Sequence, residues 1–280
     1  MAEQLQTGDY LQVVDRIGIV PVKVTLLGTF RMGFAGTSAG PWPRPPAKRL
    51  CELLMLRPGH RLHKEVACES LFANLSPKAS ANALRKAASM ARQALAPLGE
   101  VGPRLVRTSR DHIWVPADIP LEIDAVAHEA ALRIALGMKP GVGRDAALSV
   151  ALRQSTVLLD DEPYSDWALE PRDALERLRQ RARLELARDR TKGHGRSQPD
   201  AVIDAWEACF THDPASEEAA ANLMACYATL GQRQLVVRTY RRCRLGLGDL
   251  DLRPSSSLER AYHRATEEAS DFGTLIAYGH

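Results

Sequence analysis

Asn82, Arg85, Lys86, Ser89 and Arg92 recur at spacings that a helix gathers onto one side. Together they offer amide, guanidinium, ammonium and hydroxyl groups and no carboxylate, a set suited to a polyanion. Arg85 could read guanine through a bidentate fork and Asn82 could read adenine, each good pair discriminating by roughly 1–3 kcal/mol. Ser89 adds a hydroxyl able to reach base or backbone. Lys86 and Arg92 are assigned to phosphates, which position a duplex without specifying its sequence. A second group, Arg107, Thr108 and Arg110, borders the polar tip Ser109-Arg110-Asp111-His112. It is expected along the DNA backbone or in a narrow minor groove. Lys48 and Arg49, at the start of an apolar helical run, are further phosphate candidates. For each of these cations the alternative is a solvated surface charge.

Other chemistries lack their residues. There is no nucleophile elbow, no HExxH and no paired-carboxylate motif with supporting context, so the chain does not read as an enzyme. Asp160-Asp161-Glu162 is acidic, but its place in a loop favours a solvated cluster over a metal site. His60 and His63 have ligand spacing without a second pair nearby, and the five cysteines form no CxxC. No metal and no cofactor are expected, and no GxxxxGK[ST] phosphate loop is present. No apolar stretch is long enough to span a membrane. The first ten residues, MAEQLQTGDY, have neither a basic n-region nor an apolar h-region, so a cytoplasmic, nucleoid-associated protein is expected.

The elements that must position the cations follow from charge and periodicity. The net charge of +3 conceals a division. Residues 22–117 hold 15 Lys and Arg against 5 Asp and Glu, whereas residues 118–280 hold 21 against 26. A basic segment of this kind is most often a phosphate-neutralising module. Within it, VKVTLLGTF (22–30) reads as a strand, and two prolines open a helix over 47–57 that Pro58-Gly59 stops. A short helix follows over 64–72. A longer one begins after Ser76-Pro77 or Ser80 and runs to about Ala96, with Leu84, Ala88, Ala91 and Leu95 facing inward. Two short strands, near 104–108 and 113–115, then make a hairpin. That order is a winged helix-turn-helix.

The remainder reads as helical, with amphipathic runs at 124–137, 144–159, 171–191, 200–211, 216–230 and 233–247, broken at 192–199. Val202, Trp206, Cys209 and Pro214 recur 34 residues later as Val236, Tyr240, Cys243 and Gly248, the tetratricopeptide period. Ala220, Leu223 and Tyr227 supply the first helix of that repeat. A generic helical bundle is the alternative. Trp167, Trp206, Tyr227 and Tyr240 read as packing residues, as do Cys209, Cys226 and Cys243, spaced 17 apart. The fold class is therefore mainly α: an N-terminal extension (1–21), a winged helix of α+β type (22–117) and an α-helical, tetratricopeptide-like domain (118–280). Leu11, Val13, Val14, Ile17 and Ile19 in the extension fit a strand or a helix.

Pieces dispersed in order along residues 22–265 resemble the SARP group of antibiotic-pathway activators. They are VTLLGTFRM, KRLCELLMLRPGHRLHKEVACESLF, ANALRKAASMARQALA, RLVRTSRDHIWV, LLDDEPYSDWALEPRDAL and YRRCRLGLGDLDLRPSSSLERAY. The resemblance implies an OmpR-like winged helix followed by a bacterial transcriptional activator domain, in a short form without an NTPase module. It also implies sequence-specific binding to direct repeats in promoter DNA, self-association on those repeats, and contact with RNA polymerase. Two departures stand out. Ala88 and Ala91 replace larger aliphatics, which implies closer packing or a less stable helix. Arg110-Asp111-His112-Ile113 replaces the usual glycines of the wing, which implies a stiffer tip. Two other functions fit the same residues: a ligand-responsive regulator whose helical domain senses a small molecule, and a protein-interaction scaffold.

Overall fold

The computed structural model describes residues 20–193 and 198–277, with side chains to residue 269. The extension read from residues 1–21 and the centre of the break at 192–199 lie outside the described residues. The chain divides into two compact units, one running to Ala130 and including Ser155–Leu175, the other comprising Ala131–Gln154 and Glu176 onward. The single boundary read after residue 117 therefore differs from the fold. Charge composition changes there, but the backbone pairing of the first unit continues beyond it.

In the first unit, strands β1 (Val22–Thr25), β2 (Arg31–Phe34), β3 (Thr37–Ser38) and β7 (Leu121–Ile123) form a sheet in the order β3-β2-β1-β7. Alternation drives β1, whose Val22 and Val24 are buried while Lys23 is exposed. β7 runs parallel to β1, and the Asp124 carboxylate that follows it accepts from the Leu26 and Leu27 N–H groups. Helices α1 (Pro45–Leu56), α2 (Lys64–Phe72), α3 (Pro77–Leu95) and the short α4 (Val101–Arg104) pack beside this sheet. Strands β4 (Arg61–His63), β5 (Arg107–Thr108) and β6 (His112–Trp114) form a second sheet, β4-β6-β5. This is a winged helix-turn-helix, as the order of elements predicts. Leu50, Leu53 and Leu54 of α1 are fully buried, and α1 packs on α3.

Residues 155–175 complete this unit. The run read as one helix over 144–159 ends at Leu152, because its last residues turn into extended backbone against the loop after β1. Gly28 N–H donates to Val157 O at 2.8 Å and Leu159 N–H to Leu26 O at 2.8 Å. Arg172 then closes the loop. Its guanidinium donates to the carbonyls of Leu158, Leu159 and Glu162 at 3.1, 3.1 and 3.3 Å. Glu162, read as part of a solvated cluster, is instead buried and accepts from Arg49 at 2.9 Å.

Helices α5 (Asp124–Gly137) and α7 (Asp166–Thr191) contribute residues to both units; α6 (Val142–Leu152), α8 (Pro199–His212), α9 (Glu217–Thr229), α10 (Arg233–Gly248) and α11 (Ser256–Ala277) belong to the second. The 34-residue period is visible in the packing. Trp206 and Cys209 of α8, and Val236 and Cys243 of α10, all turn into one core with Leu223 and Tyr227 of α9. Trp206 Nε1 donates to Thr191 Oγ1 at 2.8 Å. Burial pushes the Cys209 thiol up to about 12 and Cys243 to about 11, as expected for packed, unreactive cysteines. Helix α11 was not foreseen. Its charged residues dilute the apolar stripe that Leu258, Ala261, Tyr262 and Ala265 set against α9 and α10.

One carboxylate in the first unit is buried without hydrogen bonds. Glu52 on α1 has no exposed surface, and its nearest cation, Lys48 Nζ, lies 3.2 Å from Oε1 without hydrogen-bond geometry. Burial, reinforced by Glu162 and Asp161 and opposed by Lys48, pushes its carboxyl up from 4.5 to about 7. A carboxyl raised on folding binds its proton more tightly in the native state, so its contribution falls as pH rises from about 4.5 through about 7. Glu52→Gln is expected to gain on the parent by up to about 3 kcal/mol between pH 5 and pH 8. Urea unfolding at the two pH values measures this, and an unchanged difference would contradict it.

Candidate nucleic-acid interface

The long helix α3 is built for a surface role. Pro77 fits the first helical turn, and after the helix ends Gly99 reverses the chain with φ +72°. Leu84, Ala88, Ala91 and Leu95 are buried, while Asn82, Arg85, Lys86 and Ser89 are exposed. Both faces are those the periodicity predicts. Ala88 and Ala91 belong to a strip of small buried residues with Ala87 and Ala94, which permits the close packing their size implies. The C-terminal end of α3 is fixed by a tight contact. A Cβ on Gly102 would lie 1.8 Å from Leu95 O, so only glycine lets α4 pass and lead the chain into the wing.

The wing has an ordered tip without glycine. Arg110 and Asp111 form the turn, closed by Ser109 N–H donating to His112 O at 2.9 Å and His112 N–H to Ser109 Oγ at 3.2 Å. Neither turn residue has positive φ. The hairpin is held from outside, because Lys64 N–H donates to Asp111 O at 2.8 Å and Lys64 Nζ to Ser109 O. The His63 and His112 rings meet edge to face at 5.2 Å. The stiff tip implied by the sequence is thus a tip anchored on the start of α2.

The expected contacts separate into three groups. Arg85, Arg92, Thr108 and Arg110 come together around a groove of about 520 Å3 between α2, α3 and the wing, joined by Lys64. Arg85 donates to Asn82 Oδ1, which joins the two side chains on the exposed face of α3. Lys86, Ser89 and Arg110 are exposed, and Lys86 and Arg110 have no ion-pair partner among the described residues.

Arg92 lines this groove but is half-buried and engaged within the protein. Its Nε donates to Val106 O at 2.8 Å and its Nη2 to Thr108 Oγ1 at 3.2 Å, bridging α3 to the wing. Arg107 lies on the other side of the wing sheet. Cross-strand partners share a face. Thr108, Ile113 and Leu62 therefore face α3, whereas Arg107, Trp114 and Arg61 face away.

Lys48 and Arg49 are engaged elsewhere. Lys48 pairs with Asp161 and Glu52, and Arg49 with Glu162, 113 residues along the chain. Lys64 and Lys78 were missed. Lys64 reads only as the first residue of a short helix, and Lys78 is an exposed cation in the first turn of α3.

Residues 144–265 match the family model of the bacterial transcriptional activator domain. The match covers 122 of the chain's 280 residues. The fold is similar to that of Mycobacterium tuberculosis EmbR, solved in complex with a low affinity phosphopeptide. That likeness has a TM-score of 0.63 and 20% identity, covering 92% of this chain and 71% of that one. No curated protein matches the sequence. No described helix is long and apolar enough to cross a membrane.

The bridge through Arg92 can be tested apart from any ligand. Arg92→Met removes charge-assisted bonds to a carbonyl and a hydroxyl, and a loss of about 1.5–3 kcal/mol in urea unfolding is expected. Lys86→Ala, on the same helix but solvated, should stay within about 0.5 kcal/mol of the parent. Equal effects of the two substitutions would remove the distinction between them.

Proposed function

We propose that this chain is a sequence-specific DNA-binding transcription activator. It binds direct repeats in a promoter through its winged helix and aids recruitment of RNA polymerase. The observation that carries the reading is the convergence of Lys64, Arg85, Thr108 and Arg110, from three separate elements, on one groove beside an exposed helix face. A helix of about 10 Å diameter fits a major groove about 12 Å wide. In this reading α3 enters the groove with Arg85 on a guanine edge. Asn82 orients the Arg85 guanidinium and can turn its own amide to an adjacent adenine. Lys86, Lys64, Lys78 and Arg110 neutralise phosphates, and Ser89 reaches base or backbone. Arg92 positions the wing, and Lys48, Arg49 and Arg107 take no part. Direct repeats about one helical turn apart would set protomers head to tail on one side of the duplex. The match of residues 144–265 to the bacterial transcriptional activator domain is what supports the recruitment step.

Selection from a randomised duplex library, followed by titration at several salt concentrations, tests the assignment. Arg85→Ala should relax sequence preference at one position by roughly 1–3 kcal/mol. Lys86→Ala should weaken all sequences alike and reduce the salt slope by about one. Unchanged preference in Arg85→Ala would remove its base-reading role, and salt-independent binding by the parent would remove the DNA reading altogether.

A further inference from the structure

Helix α10 carries arginines at 233, 238, 241, 242 and 244 and no acidic residue. All of them are exposed. Several arginines elsewhere in the same unit are paired: Arg144 with Glu185, Arg183 with Glu176, Arg188 with Glu218 and Arg190 with Asp145. The arginines of α10 form no ion pair among the described residues. A helix face needed only for solubility normally mixes both signs; this one does not.

Apolar surface is interleaved with the cations. Arg238 and Arg241 border an open groove of about 1180 Å3 together with Leu235 and Leu245, and Leu245 is 67% exposed. An adjoining cavity of about 200 Å3 between α8, α9 and α10 shares Leu235, Arg238 and Arg242 with it and reaches Phe210. The Arg242 guanidinium lies over the Phe210 ring, 4.9 Å from its centre. Stacking on an aromatic ring leaves the edge of a guanidinium free to bind a carboxylate. Glu207, at the rim of this cavity, accepts from Tyr227 Oη.

We propose that this face docks an acidic segment of a protein partner, whose carboxylates meet Arg238, Arg241 and Arg242 while its apolar side chains lie against Leu235, Leu245 and Phe210. Arginine and aromatic residues around an apolar centre are the composition of a protein interface. A nucleic-acid backbone would use the cations and leave the leucines without a counterpart. The proposal rests on the activator reading only in taking the partner to belong to the transcription machinery; the chemistry of the face stands apart from it.

The test uses the full chain and a fluorescent peptide in which Glu and Asp alternate with Leu and Phe, read by anisotropy at low and high salt. Salt-weakened binding is expected, falling at least about tenfold in the double variant Arg238→Glu/Arg241→Glu. Leu245→Ser should also weaken it. Arg181→Glu, at an exposed arginine on α7, should not. A peptide with Gln replacing its acids should not bind. Thermal melts of the variants identify any that fail to fold, and Leu245→Ser supplies a reading that charge reversal does not perturb. Absence of binding to the parent, equal binding of the Gln peptide, or indifference to both substitutions overturns the proposal. So does a double variant that keeps the peptide but loses affinity for a DNA duplex, which would make the face a nucleic-acid contact. Lys86→Ala should weaken the duplex and leave the peptide untouched, so failure of the DNA reading and failure of this one are separately visible.

Discussion

The winged helix depends on backbone that arrives from far along the chain. Residues 155–160 hydrogen-bond the loop after β1, and Arg172 grips the carbonyls that shape the turn beyond them. A guanidinium on several carbonyls is a strong clamp, because its rigid fork meets fixed acceptors and leaves few buried C=O groups unsatisfied. Asp161 and Glu162 come with this segment and neutralise Lys48 and Arg49 on α1. The same docking therefore decides which cations of the basic segment remain outside. The charge excess counted along residues 22–117 overstates what a polyanion can meet, because Lys48 and Arg49 are paired within the fold.

Glu52, buried beneath this ion cluster without hydrogen bonds, is a local weakness in an otherwise well-packed helix. Burying a carboxylate without hydrogen bonds opposes folding, and the neighbouring acids increase the penalty. Lys48 offsets part of it while also holding Asp161. Removing Lys48 from this cluster would leave its acids without their shared cation, so the charges act as a unit rather than as separate pairs.

What could be read from the sequence was local. Helix α2 was placed at both ends, and the two faces of α3 followed from a spacing of three and four. The 34-residue period found the core positions of α8 and α10. What could not be read depended on register or on distant partners. Arg107 and Thr108 are neighbours in sequence, and only the pairing of β5 with β6 shows that they point to opposite sides of the wing. Nothing near Lys48 or Arg49 announces acids 113 residues away. Strand β7 has three residues and no pattern of its own; it exists because β1 offers an edge. The wing lacked the glycines that usually mark such a turn, and its geometry is supplied instead by Lys64 on another element.

The return of residues 155–175 also bears on how such a chain can be inherited. Modules joined end to end can be exchanged by one crossover in the joining segment. Here the winged helix is assembled from two stretches, with α6 and its flanks lying between them in sequence. A single recombination near residue 118 would give the winged helix a foreign clamp, one that must still present an arginine and two acids in register with α1. Exchange of the winged helix thus favours crossovers beyond Leu175, or paired ones.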